Sequence, residues 1–369
     1  MIGLDNKRKI AWLEEKISAM RSFRGSLLSY VNSSRTIKSD MLKLDANENY
    51  FVDPTFLKNL LLEALKEVDL RLYNPGVTAE LKGALAAYLG VPARCIGVSS
   101  GSDHLIDCLV QHFLESGDEA VSIVPSFFMY EKRVRLRGAK LVSVPLKEDL
   151  SIDVDEVLRS CSNKTKLVFV CSPNNPTGNQ FSWKSIEALA DNCPAIIVVD
   201  EAYAEFGDGS ICPKAVEKEN IIVIRTFSKA FGSAGLRFGY FAACEDLASA
   251  FSEVIPYTVS TLVGCFVIKL LSKLEVVRNW INEIKRERER LIEELRSLDG
   301  IEVLDSKANF VTFRPGEDAD KIYEGLLDRG IAVKNLGALP VIGHCLRVTV
   351  GLPEMNNVFL NSLREILVG

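Results

Sequence analysis

A lysine becomes a nucleophile when its surroundings strip it of water and hold it still. The stretch RTFSKAFGSAGLRFGY, residues 225–240, offers such a setting: Lys229 stands among small residues, with Arg237 eight positions further on. It follows the apolar, β-branched run IIVI (221–224), which reads as a buried strand. A lysine at a strand mouth is ordinarily a solvated stem, so the other strand ends have to decide. KLVFV (166–170) runs into CSPNNPTG and delivers Asn175; AIIVV (195–199) runs into DEAY and delivers Asp200 and Tyr203. AVSIV (120–124) runs into PSFF and delivers Phe127. Taken singly, each has an ordinary explanation as a turn, a cap or packing. In a parallel α/β sheet they share one carboxyl edge, where ligands bind. That edge then carries an amine, a carboxylate, an amide, a phenol and an aromatic face.

One more segment completes the set. SSGSD (99–103) precedes the apolar helical stretch LIDCLVQHF. A small-residue turn opening a helix presents free N–H groups and the positive dipole end to an anion such as phosphate. The turn is neither GxGxxG nor GxxxxGK[ST], so dinucleotides and nucleoside triphosphates are not favoured. Pyridoxal phosphate needs all of these groups: an amine for a Schiff base, a carboxylate to keep the pyridine nitrogen protonated, an aromatic plate and a phosphate cradle. Lys229 is the expected Schiff-base lysine and Arg237 a phosphate partner.

The elements that must position these residues are legible in outline. Residues 7–30 read as an amphipathic helix with Ile10, Leu13, Ile17 and Met20 at helical spacing, followed by the polar arm NSSRTIKSD. From about 55 to 270, helical patterns alternate with short runs that are apolar throughout, as strands covered on both faces are. That predicts an α/β unit with a mostly parallel sheet, of seven-stranded type, and helices on both faces. Beyond Pro256 come long helical stretches over 261–299, whose KRERERLIEEL reads as a solvated face, then EVLDSKANFVTFR, a helix at 318–329, GIAVKN and HCLRVTVG. The expected division is residues 1–44 as an N-terminal helix and arm joining a small α+β domain, 45–260 as the large cofactor-binding domain, and 261–369 as the small domain.

Bulk composition narrows the functions. The 369 residues are 47% hydrophobic and 25% charged, ordinary for a globular chain with a large core. A net charge of −5 without a dense basic tract argues against nucleic acid. Nine scattered cysteines without paired spacing point to reduced thiols and a cytoplasmic setting, and three histidines make no convincing metal cluster. The charged N-terminus is unlike a signal peptide, and no apolar run reaches the roughly 18 residues a membrane span requires.

The ordered motifs LDANEN (44–49), LYNPGVTAELKGALAAYLG (72–90), SSGSD, SPNNPTGN, VVDEAYAEF (198–206), RTFSKAFGSAGLRFGY and LRVTVG (346–351) resemble the fold-type I aminotransferases. Within these, the sequence is most similar to the histidinol-phosphate aminotransferases, over nearly its full length. The resemblance implies that Asn175 and Tyr203 bond the cofactor's phenolic oxygen, Asp200 pairs with the pyridinium nitrogen and Phe127 stacks on the ring. Gly101, Ser102, Asp103, Ser228 and Arg237 would surround the phosphate, with Tyr73 reaching it from a partner subunit in an obligate homodimer. Arg347 would hold the substrate's anionic head group, near Asn175.

Three positions depart from the family's usual pattern. Lys334 stands where an arginine commonly helps bind the substrate phosphate, which keeps charge but loses the bidentate fork. His104 replaces a usual Glu, and Tyr50, expected at the substrate, a common proline. The implied reaction moves an amino group from histidinol phosphate or a related amino acid to a 2-oxo acid, 2-oxoglutarate. Alternatives are an aromatic amino acid aminotransferase, a phosphothreonine-type decarboxylase on the same scaffold, and a non-catalytic cofactor-binding protein.

Overall fold

The computed structural model describes residue 14, residues 41–255, 259–316 and 318–368. Glu14 is helical; the rest of the expected N-terminal helix and the polar arm to residue 40 lie outside the described residues. The strands are β1 (Leu42–Lys43), β2 (Ile96–Ser99), β3 (Glu119–Val124), β4 (Lys140–Pro145), β5 (Thr165–Cys171), β6 (Ile196–Asp200), β7 (Ile221–Thr226), β8 (Gly239–Ala243), β9 (Ile301–Val303), β10 (Phe310–Pro315), β11 (Ile331–Ala332), β12 (Lys334–Leu339) and β13 (Gly343–Thr349).

Seven of these form one sheet in the order β2-β8-β7-β6-β5-β3-β4, parallel throughout except for β8, which opposes both its neighbours. The reason these strands read apolar at every position is visible in their packing. Along β5, Val168 and Val170 enter one core while Leu167 and Phe169 enter another; β7 divides Ile221 and Val223 from Ile222 and Ile224 in the same way. Side chains alternate across a strand, so a sheet with a core on each face must be apolar at both parities. Helices such as Ser102–Phe113 and Trp183–Asn192 cover the two faces and return the chain for the next parallel strand.

The antiparallel β8 has a local cause. The connection from β7, Phe227–Phe238, holds only the 3-10 turn Ala234–Leu236 and no α-helix to carry a crossover, and the Phe227 amide closes the loop on Phe238 O at 3.1 Å. As a result β8 begins at the edge where β5, β6 and β7 end.

The remaining strands form a four-stranded antiparallel sheet, β12-β13-β10-β9, and β1 pairs in parallel with β11. The helix Leu274–Arg296 lies across these parts. The KRERERLIEEL run is not the wholly solvated face its charge suggests: Glu287 and Arg288 are buried. Arg288 Nη1 donates to Phe206 O and Ala308 O, both at 3.1 Å, while Lys285 Nζ donates to Gly207 O at 3.2 Å. Charged side chains here satisfy the carbonyls of the segment just past Tyr203, which apolar residues could not do.

Candidate active site

The carboxylate end is built by β6. Its last residue, Asp200, is buried, and its Oδ1 accepts from the Ala202 amide at 3.0 Å. Oδ2 accepts from the Tyr130 hydroxyl at 2.9 Å. Burial pushes the Asp200 carboxyl up to about 6, although both donors favour its ionised form. Tyr130 is itself fixed by stacking on Phe169, with centroids 4.7 Å apart and planes 9° from parallel. Phe127 meets Tyr130 edge-on at 5.7 Å.

Three residues past Asp200, the Tyr203 hydroxyl receives the Asn47 amide at 3.0 Å and the Asn175 amide at 3.4 Å. Its buried phenol is pushed well above the ordinary value, so it stays a neutral hydrogen-bonding group. The Asn175 loop is held by its neighbour Asn174, whose Nδ2 donates to Pro125 O at 2.9 Å and Thr177 Oγ1 at 2.7 Å.

Lys229 leaves the β7–β8 loop toward the same cleft. Its Nζ donates to Ala46 O at 2.9 Å and lies 5.8 Å from the Tyr203 ring centroid. Burial first, then the charge of Arg347, lowers its ammonium to about 8. Such an amine is poised to lose its proton near neutrality.

Beside it, Arg237 Nη1 reaches Ser228 Oγ at 3.4 Å and Nη2 reaches Asp103 Oδ2 at 3.5 Å. Gly101 has φ +104°, and a Cβ there would lie 2.8 Å from Arg237 Nη2. A Cβ on Gly239 would lie 2.6 Å from Gly101 C and 2.7 Å from Ser102 N. The two glycines therefore let the β8 backbone meet the turn that opens helix Ser102–Phe113, bringing its amides beside the Arg237 guanidinium. His104 faces Ser99 Oγ with Nδ1 at 2.6 Å.

At the far side Arg347 is buried in β13, opposite Lys334 of β12. Arg347 Nη1 donates to Asn175 Oδ1 at 2.5 Å and Nη2 to Asp45 O at 2.9 Å, while its guanidinium lies 5.1 Å from the Phe310 ring centroid. Among the described residues it makes no ion pair, and its buried Nε has no hydrogen-bond partner. Lys334 is lowered by burial and by Arg347. Tyr50 donates to Glu48 Oε2 at 3.0 Å. Tyr73 stands apart, 97% exposed.

Sequence reading passed over Tyr130 and Asn47. Tyr130 is the second residue of the helix Met129–Arg137, and Phe127 precedes that helix, so no helical spacing ties the two. Asn47 sits inside LDANEN with φ +55°, a conformation that asparagine tolerates better than most side chains.

The sequence pattern described as Aminotransferase class I and II matches residues 39–363. The chain belongs to this family. Among similar proteins, the histidinol-phosphate aminotransferase of Thermoanaerobacter pseudethanolicus is 39% identical over 328 residues, covering 88% of this chain and 93% of the relative. That of Ruminiclostridium cellulolyticum is 35% identical over 349 residues, covering 93% and 97%. The crystal structure of histidinol-phosphate aminotransferase from Sinorhizobium meliloti in complex with pyridoxal-5'-phosphate superposes with a TM-score of 0.80 at 26% identity, covering 88% and 90%. This aminotransferase depends on pyridoxal 5'-phosphate, and its cleft fits that group: Asp200 is a buried carboxylate with no cation on it among the described residues, and Gly101 and Gly239 open a backbone cradle that a Cβ would fill. Among the described residues no cluster could hold a metal ion, and no helix is long and apolar enough to cross a membrane.

Proposed function

We propose that this aminotransferase moves an amino group from histidinol phosphate, or a related amino acid, to 2-oxoglutarate, as a cytoplasmic homodimer with shared sites. The observation that carries the donor assignment is the pair Arg347 and Lys334, opposite one another in the β12–β13 ladder, with Arg347 bonded to Asn175 Oδ1 and Asp45 O and in no ion pair among the described residues. A buried guanidinium that meets only neutral acceptors is matched by an anionic ligand. The names of the 35–39% identical relatives support the same donor.

When bound, pyridoxal phosphate supplies an electron sink for the substrate's amino carbon. In this reading Lys229 would hold the cofactor and would carry the proton to and from the substrate carbon. Asp200 would keep the proton on the ring nitrogen; Asn175 and Tyr203 would bond the phenolic oxygen. Phe127 would pack on the ring, and Gly101, Ser102, Asp103, Ser228 and Arg237, with Tyr73 of the second chain, would surround the phosphate. Arg347, Lys334, Asn175 and Tyr50 would orient the donor. Residues 1–44 join a small domain, 261–369, against a cofactor domain, 45–260.

The test is a half-reaction screen of amino donors followed by the cofactor's absorbance change. Histidinol phosphate should convert the cofactor to its amine form. Aromatic amino acids should react appreciably too, because Lys334 offers a point charge rather than a fork. Lys334→Arg should raise the preference for the phosphomonoester. If the parent ignores every carboxylate donor except glutamate, the relaxed selectivity is wrong; if it releases CO₂ and regenerates its starting spectrum, the reaction is decarboxylation.

A further inference from the structure

The turns that close two neighbouring helices bring a pair of thiols together on the protein's side away from the Lys229 cleft. Cys161 follows the helix Val154–Ser160, its amide donating to Leu158 O; Cys193 follows the helix Trp183–Asn192, its amide donating to Leu189 O. The helices pack against one another, and their sulfurs lie 3.2 Å apart across 32 residues of chain. A disulfide bond is about 2.05 Å long, so the sulfurs need to close by only about 1.2 Å. Both cysteines are free, and among the described residues no other two thiols are hydrogen-bonded to each other. Cys161 is partly exposed and Cys193 only 4% exposed, so a small peroxide reaches Cys193 past Cys161.

We propose that Cys161 and Cys193 form a redox-modification site, closed to a disulfide by a hydroperoxide and reopened by thiols. The Cys161 thiol and the Ala195 amide favour a thiolate on Cys193, holding it down at about 7 against the cost of burial. That thiolate attacks one peroxide oxygen, the O–O bond breaks, and hydroxide leaves as water after taking up a proton. Cys161 then gives up its proton and attacks the Cys193 sulfenic sulfur, forming the S–S bond and expelling a second water. Two thiols lose two electrons and one hydrogen peroxide becomes two waters. Reduced dithiothreitol reverses the step by exchange.

The bond would tie the approaches to β5 and β6, adjacent strands whose far ends carry Asn175 and Asp200. Since neither cysteine touches those residues, turnover should persist. Closing a 32-residue loop should raise the Tm by roughly 5 °C.

The holoenzyme treated with hydrogen peroxide should lose two of its nine titratable thiols and yield one Cys161–Cys193 cross-linked peptide by mass spectrometry, both reversed by dithiothreitol. Cys161→Ser and Cys193→Ser should each abolish the cross-link and the Tm shift. Cross-links between other cysteines, or Cys161 driven to sulfinic acid while Cys193 stays reduced, would overturn the assignment.

Discussion

Asp200 depends on two donors, and only one of them is a side chain. Tyr130, stacked on Phe169, aims its hydroxyl at Oδ2 from a helix that contributes nothing else polar to the carboxylate. Hydrogen bonds to charged groups are worth about 1.5–3 kcal/mol, which corresponds to roughly 10- to 100-fold in rate if fully expressed in the reaction. Tyr130→Phe should therefore slow the half-reaction by about 10-fold. It should also move the acid limb of the pH–rate profile upward, because the Tyr130 hydrogen bond favours the ionised carboxylate and its loss makes protonation easier. An unaltered acid limb with an unaltered rate would remove Tyr130 from the site. The sequence pointed elsewhere: a phenol just beyond an aromatic pair reads as core, and Tyr130 is indeed buried, so its burial alone could not separate packing from a role at the carboxylate. Lys229, Asp200 and Asn175 were legible because each ends an apolar run abruptly with a group that has no reason to be buried unless it is used.

At the level of elements, the cradle rests on where β8 starts. Gly239 lies against the backbone of Gly101 and Ser102, which has no flexible end to swing aside. Gly239→Ala should force the strand and the helix-opening turn apart, at the 1–3 kcal/mol typical of overpacking. Cofactor affinity should fall about 10- to 100-fold with far-UV circular dichroism retained, as equilibrium dialysis would reveal. Affinity within twofold of the parent would mean the phosphate sits elsewhere. The parallel strands were readable because alternate residues feed two cores, making the run apolar at both parities. The direction of β8 was not readable, since GYFAA is as apolar as a parallel strand and only the lack of an α-helix in its connection to β7 decides the matter. Arg288 misled for a related reason: charge predicts solvent unless a carbonyl waits for it, and those at Phe206 and Ala308 lie far away in sequence.

On the scale of the molecule, Leu70, Leu72 and Tyr73 expose apolar surface together, at 70%, 62% and 97%. In the proposed homodimer this segment meets the second chain and completes its phosphate site. Lys229→Ala and Tyr73→Ala chains should each be nearly inactive alone. Mixed after unfolding and refolding together, they should regain up to about a quarter of parental activity, because one site of each hybrid dimer is intact. A fully active monomer in sedimentation would exclude shared sites. How two chains meet is not written in the periodicity of one, because an exposed Tyr73 has the same local signature whether water or a partner covers it.

Asp200 also makes the protein's robustness depend on acidity and on its ligand. Its folded-state pKa of about 6 exceeds the ordinary 3.8, so between those values the folded chain keeps a proton that the unfolded chain has released. The stability Asp200 contributes is therefore complete below about pH 4 and lost as pH rises through 6, amounting to about 3 kcal/mol in the chain stripped of cofactor. A cationic ring nitrogen restores what desolvation takes away, which turns cofactor capture into a gain in heat resistance that is largest above pH 6. Asp200→Asn, stripped of cofactor, should melt several degrees above the stripped parent at pH 7.5 and no higher than it near pH 4. Calorimetry showing the same parent-to-variant gap at both pH values would contradict this, and the buried carboxylate would then carry no thermal liability.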